Sequence, residues 1–148
     1  MEQIFRNPGV TADLIVENEK GEILLIRRKH EPFKGKWALP GGFLEYGKET
    51  LEECGVRELE EETHLITEPR YLRLIGTYSN PKRDPRGHTV ASAYAVLNYS
   101  GEAYPGDDAG EIGWFPKKSL YNLAFDHDEI IKDYYKWKED RKKLGKSR

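Results

Sequence analysis

The sequence predicts a mixed α-and-β domain, of the α+β or α/β class, and three observations carry that prediction. Apolar, β-favouring runs recur along the chain, an acidic helical pattern follows the glycine pair Gly41-Gly42, and a second amphipathic helical pattern lies near the C-terminus. With 148 residues, one compact domain over 1–148 is expected, large enough for a full core, with 139–148 as a basic tail.

Taken in order, Val10 to Glu17 alternates toward strand, Asn18-Glu19-Lys20-Gly21 reads as a turn, and Glu22 to Arg28 reads as a buried strand. The pair is expected to form a β-hairpin. Lys29 to Lys36 is a polar loop, and Trp37-Ala38-Leu39-Pro40 delivers the chain to the glycine loop, with Pro40 disfavouring helix just before it. Tyr71 to Tyr78 reads as a strand, 79–88 as a loop, and Thr89 to Tyr99 as the longest strand signal. Gly101 to Gly110, rich in Gly, Asp and Pro, is expected to be loop, followed by a short strand over Glu111 to Phe115 and an irregular stretch from Leu120 to Asp128. Glu129 to Lys143 is the second helix, with Ile130, Ile131, Tyr134, Tyr135 and Trp137 packing on the sheet, and Arg141 to Arg148 is expected to fray.

Composition narrows the function classes. A charged fraction of 34% with a net charge of −2 lacks the strongly basic balance of a nucleic-acid binder. The single cysteine, Cys54, allows no intramolecular disulfide and fits a reducing compartment. Without a paired base it reads as a small packing residue rather than a nucleophile. No signal peptide and no membrane-length apolar run is evident, so a soluble cytoplasmic protein without a membrane partner is expected.

The chemistry concentrates after the glycine pair. From Glu49 to Glu62 the chain carries seven glutamates. At roughly 100° per residue, Leu51, Cys54, Gly55, Glu58, Glu61 and Glu62 share one helix face, Val56, Leu59 and Thr63 lie beside it, and Glu53, Arg57, Glu60 and His64 point away. Carboxylates beside apolar and small residues face a cleft rather than bulk water, and like charges three and four residues apart repel unless cations neutralise them. Such oxygen-rich clusters suit hard divalent ions, Mg²⁺ above all. The plainer reading is a charged surface helix with pairs such as Glu53–Arg57. Gly41 and Gly42 weigh against it, because they let a backbone carbonyl approach an ion closely.

These residues resemble the box of the Nudix superfamily, G-x5-E-x7-R-E-U-x-E-E-x-G-U, where U is aliphatic. Seven residues separate Glu49 from Arg57, and Glu58, Leu59, Glu61, Glu62 and Leu65 follow at the family's spacing. Two departures stand out: six residues rather than five separate Gly42 from Glu49, and His64 replaces the closing glycine. The extra residue is expected to bulge in the loop, and His64 to cap the helix in a left-handed conformation.

The resemblance implies an α/β fold, a Nudix α/β/α sandwich with a central mixed β-sheet, and a metal-dependent pyrophosphohydrolase. It implies Gly41, Glu58, Glu61 and Glu62 as the ligands of Mg²⁺ (or Mn²⁺), with Arg57 and Glu49 orienting them. The general base is a helix glutamate or a loop acid among Asp107, Asp108 and Glu111, the latter readable equally as parts of a Gly/Asp turn. For substrate binding the sequence offers Arg83 and Arg86, whose planar forks suit phosphate, with Phe33, Trp37 and Tyr78 for stacking and Asp108 as a polar contact. A charged surface turn, or core aromatics, are the alternatives. His127 reads as structural or substrate-facing.

With 106–109 and 123–127, the arginine loop resembles the ADP-ribose pyrophosphatase-like branch. The implied reaction is hydrolysis of ADP-ribose, or a related nucleoside diphosphate sugar, to AMP and ribose 5-phosphate, and a homodimer is among the states the resemblance allows. A cleanup hydrolase of NTPs or dinucleoside polyphosphates is the second reading. A non-catalytic ADP-ribose-sensing module is the third, opposed by the complete set of helix carboxylates and by the few residues left after the last helix.

Overall fold

The structure, a computed structural model, describes residues 6–106 and 109–146. Its strands are β1 (Gly9–Ile15), β2 (Ile23–Arg28), β3 (Trp37–Ala38), β4 (Gly41–Phe43), β5 (Leu72–Tyr78), β6 (Thr89–Val96) and β7 (Ala109–Phe115). Helix α1 spans Leu51–Thr63 and helix α2 His127–Lys146. A four-stranded sheet has the order β4-β1-β6-β5, and a three-stranded sheet the order β3-β2-β7. The first is mixed: β1 runs parallel to β6, from Gly9–Thr89 to Ile15–Ala95, whereas β4 and β5 are antiparallel additions.

Period-2 alternation explains how the layers stack. On one face Ala12, Leu14, Tyr94 and Val96 bury against Cys54 and Leu59 of α1. On the other, Ile15, Ala91, Ala93 and Ala95 meet Ile23 and Leu25 of β2 and Ile130, Ile131 and Tyr134 of α2. The mixed sheet thus lies between two helical layers, giving the α/β/α sandwich. Cys54 is buried in this packing, and burial pushes its thiol up to about 12, so it is an inert core residue.

The structure corrects several element expectations. The turn after β1 closes with Asn18 N to Glu22 O at 2.9 Å and Leu24 N to Val16 O at 3.0 Å, but no hairpin continues from it. Both edges of β1 are taken by β4 and β6, so β2 leaves for the other sheet. The glycine pair is strand rather than loop: Gly41 and Gly42 pair with Asp13 and Ala12. β6 stops at Val96, short of Tyr99, and β7 begins at Ala109, inside the expected loop, because Arg28 extends the pairing to it across a bulge. Helix α2 continues to Lys146, through the stretch expected to fray. Among the described residues, no helix is long and apolar enough to cross a membrane.

Candidate functional site

The entry to α1 fixes the site. Thr50 caps the helix, its hydroxyl accepting from Glu53 N at 3.1 Å while Glu53 Oε1 accepts from Thr50 N at 2.9 Å. One residue earlier, Glu49 accepts from Arg57 Nε and Nη2, both at 2.8 Å, and from Glu45 N at 3.0 Å. The extra residue of the loop is therefore absorbed in the turn at 46–48, where Lys48 N donates to Glu45 O, and Glu49 returns to Arg57. His64 closes the helix at φ 66°, with its N–H on Glu60 O.

Arg57 does not point away, as the wheel suggested. Its long side chain folds back across the helix, donating to Glu58 at 2.9 Å, to Glu61 at 3.2 Å and to the Phe43 carbonyl at 3.2 Å. The Arg57 hydrogen bonds depress the Glu49 pKa to about 2. A depressed folded-state pKa stabilises above the unfolded value and loses that stabilisation as pH falls through the folded one. Glu49→Gln is accordingly expected to lower Tm at pH 7, and the gap to close between about pH 4.5 and pH 2. A gap independent of pH in urea or thermal melts would contradict the ion pair.

Beneath the glycine strand three carboxyl groups converge on one cavity of about 330 Å³, lined by Asp13, Glu58 and Glu62 among others. A Cβ on Gly42 would collide with the Glu58 carboxylate, and one on Gly41 with the Ala12 carbonyl and, at 2.6 Å, with Asp13 Oδ1. Only glycine lets strand and acids approach so closely. Glu62 is 8% exposed and accepts one long bond, from Gly41 N at 3.3 Å. Burial, then the neighbouring Glu58 charge, pushes its carboxyl well above the usual range. Burial raises Glu58 as well.

Among the described residues no three His, Cys, Asp or Glu side chains are set to hold a metal ion between them. Mg²⁺, however, commonly takes one or two carboxylates and completes its shell with water and substrate phosphate. The buried Glu62 and the part-buried Glu58, packed against the Gly41-Gly42 backbone, fit such an ion.

Guanidinium groups share the cavity's lining with the acids. Arg28, at the end of β2, donates Nε to Pro32 O at 2.6 Å and lies 4.9 Å from the Phe125 ring centroid. Arg86 lies 5.0 Å from the Phe43 ring and 5.7 Å from Phe125, and pairs with the buried Asp84 at 2.8 Å. Burial, and then Arg86, lowers the Arg28 pKa, so an anion between the two would relieve both. Arg83 also lines the cavity, but Asp126 already occupies its fork at 2.9 and 2.6 Å, and Thr89 takes a third bond at 2.8 Å. Its fork is committed within the protein.

Other candidates lie elsewhere. Trp37 packs edge-on against Phe115 at 4.7 Å, and Tyr78 is core, donating its hydroxyl to Asp133 at 2.7 Å. Phe33 contacts Phe125 edge-on at 4.9 Å, one layer behind the cavity wall. The Glu61 side chain is 53% exposed and turned to Arg57, outside the cavity lining. Glu111 pairs with Arg27 at 2.9 Å on an exposed face. Asp107 and Asp108 lie outside the described residues. Sequence reasoning passed over Asp13, Arg28 and Phe125. The available signal for the first was an acid inside the apolar run of β1.

Comparison with known proteins gives a consistent picture. The family model for the NUDIX domain matches residues 7–137. An ADP-ribose pyrophosphatase of Methanocaldococcus jannaschii is 50% identical over 136 residues, which cover 92% of this chain and 78% of that protein. The structure of the NUDIX domain of Shewanella oneidensis NrtR, complexed with ADP ribose, aligns with a TM-score of 0.78 at 29% identity, covering 89% of each chain. A bifunctional NMN adenylyltransferase/ADP ribose pyrophosphatase from Francisella tularensis, complexed with AMP and Mn ion, aligns with a TM-score of 0.73 at 32% identity. That alignment covers 86% of this chain and 41% of the other.

Proposed function

Because this chain belongs to the Nudix family and is a Nudix hydrolase, we propose that it converts ADP-ribose and water to AMP and ribose 5-phosphate. One observation carries the reading: Glu58 and the buried Glu62 line a single cavity of about 330 Å³ together with Arg28 and Arg86, acids for a cation and guanidinium groups for phosphate in one place. Half of the aligned residues are shared with a relative named for this activity, which supports the choice of substrate.

Water attacks one phosphorus of the diphosphate, a new P–O bond forms and the bridging P–O bond breaks. Glu58, Glu62 and the Gly41 carbonyl are the proposed holders of Mg²⁺ or Mn²⁺, with Glu61 joining them if it turns from Arg57 toward the cavity. Once bound, such an ion neutralises phosphate charge and acidifies water. Glu49 and Arg57 orient Glu58 and tie the helix to β4. Arg28 and Arg86 are proposed to grip diphosphate oxygens, while the Asp126 pair keeps Arg83 as part of the wall. The single buried cysteine supports a reducing, cytoplasmic setting.

The test is hydrolysis of ADP-ribose, other nucleoside diphosphate sugars, a dinucleoside polyphosphate and the common NTPs, with Mg²⁺ and with chelator. Metal-dependent release of AMP and ribose 5-phosphate is expected, with NTPs the poorer substrates. Preferential pyrophosphate release from NTPs would overturn the substrate assignment. Tight ADP-ribose binding without turnover would place the chain with the sensing domains.

A further inference from the structure

Two buried groups on the cavity wall have no part in the contacts described so far. Asp13 sits in the middle of β1 with its side chain 9% exposed, and His127 opens α2 with its side chain 4% exposed. Both line the cavity. Leu39 N donates to His127 Nδ1 at 3.0 Å, which leaves the proton of the neutral imidazole on Nε2. That nitrogen faces Asp13 Oδ2 at 3.8 Å, beyond hydrogen-bonding distance. Among the described residues no donor lies within hydrogen-bonding distance of the Asp13 carboxylate. A buried N–H and a buried carboxylate are thus held apart, facing each other, with the open cavity beside them.

We propose that Asp13 and His127 together bind a hydroxyl of the substrate's ribose, His127 donating to its oxygen and Asp13 accepting its proton. The inference rests on the reading of the substrate as a nucleoside diphosphate sugar. It follows from matching each kind of occupant to the two faces. Burial pushes Asp13 up to about 7, so above neutral pH it is a carboxylate, and there a phosphate oxygen would set an acceptor against an acceptor. A metal ion would meet the His127 N–H, and the buried Arg83 guanidinium adds positive charge nearby. A hydroxyl is donor and acceptor at one atom, so it satisfies both. The pair is stiffened from behind: His127 by the β3–β4 connection through Leu39, and Asp13 by its register opposite Gly41. Sites built this way discriminate strongly, because an analogue lacking the hydroxyl leaves both groups unpaired.

The experiment crosses protein and substrate deletions. Initial rates are measured for ADP-ribose and for analogues each lacking one ribose hydroxyl, with wild type, Asp13→Ala and the isosteric Asp13→Asn. Wild type is expected to lose about tenfold to a hundredfold in kcat/KM on one analogue, chiefly through KM. Asp13→Ala should lose as much on ADP-ribose and no longer distinguish that analogue. Asp13→Asn, which keeps shape and one acceptor, should narrow the same ratio at a Tm no lower than that of wild type, and it decides the matter if Asp13→Ala does not fold. Wild-type discrimination retained in both variants, or a loss confined to kcat, overturns the assignment while leaving the proposed reaction standing. A wild type inert toward every nucleoside diphosphate sugar removes the reaction, and this inference with it.

Discussion

Glu62→Gln is expected to lower kcat on ADP-ribose by about a thousandfold, in the range found when a group stabilising transition-state charge is removed. The metal-free protein should meanwhile become no less stable. Glu62 is buried, accepts a single 3.3 Å bond from Gly41 N, and shares its surroundings with Glu58 and Asp13. An amide of the same shape keeps that bond and removes a charge that burial penalises. The raised folded-state pKa gives the sign: the ionised form is disfavoured on folding, so the variant's advantage in Tm grows as pH rises above the ordinary carboxylate range. Activity within tenfold of wild type at saturating metal would remove Glu62 from the proposed cation site.

Arg57→Ala carries the second large effect, on stability and turnover together. The side chain is 25% exposed and holds Glu49 and Glu58, which are 10% and 15% exposed. Removing it leaves two shielded carboxylates without their cation, at a cost of about 3 kcal/mol. For a chain of this size that corresponds to a fall in Tm of about 6–12 °C. Turnover should fall by about a hundredfold as Glu58 loses its orientation. Arg57→Lys should recover little, because one ammonium cannot reproduce the fork that meets Glu49 at two 2.8 Å bonds while also reaching Glu58. A lysine variant with normal Tm and kcat would reduce this hub to an ordinary surface pair.

How much of this was legible beforehand depended on whether the signal was local. The α1 carboxylates and Glu49–Arg57 could be placed because helical spacing fixes which side chains are neighbours. Strands β1, β5 and β6 of the mixed sheet announced themselves as apolar runs, yet their partners did not: nothing local in β1 says that β6 lies parallel to it 80 residues later, at Thr11–Ala91.

The same limit governs the cavity's far wall. Arg83 and Arg86 looked equivalent in the loop: Asp84 meets Arg86 from two residues away, and only the fold brings Asp126 to Arg83. Trp37 and Tyr78 were offered as stacking residues because an aromatic side chain reads alike in a core and in a pocket. Asp13 left only a faint mark, one acid inside an apolar strand without periodicity, and its meaning comes from His127, far along the chain.

The turn at 46–48 has a consequence for chain length. Glu49 reaches both Arg57 and Glu45 N across its base, so the geometry of the helix entry is closed below the turn. Above that closure Tyr46 is 95% exposed, and a side chain at Gly47 would meet open space. Residues can be gained or lost there while the carboxylates stay in place. The distance from glycine pair to first glutamate is thus an elastic interval, and the distance from that glutamate to its arginine a rigid one. Relatives with other loop lengths should be aligned from Arg57 backwards, and a reporter segment intended to leave the site intact belongs between Tyr46 and Lys48.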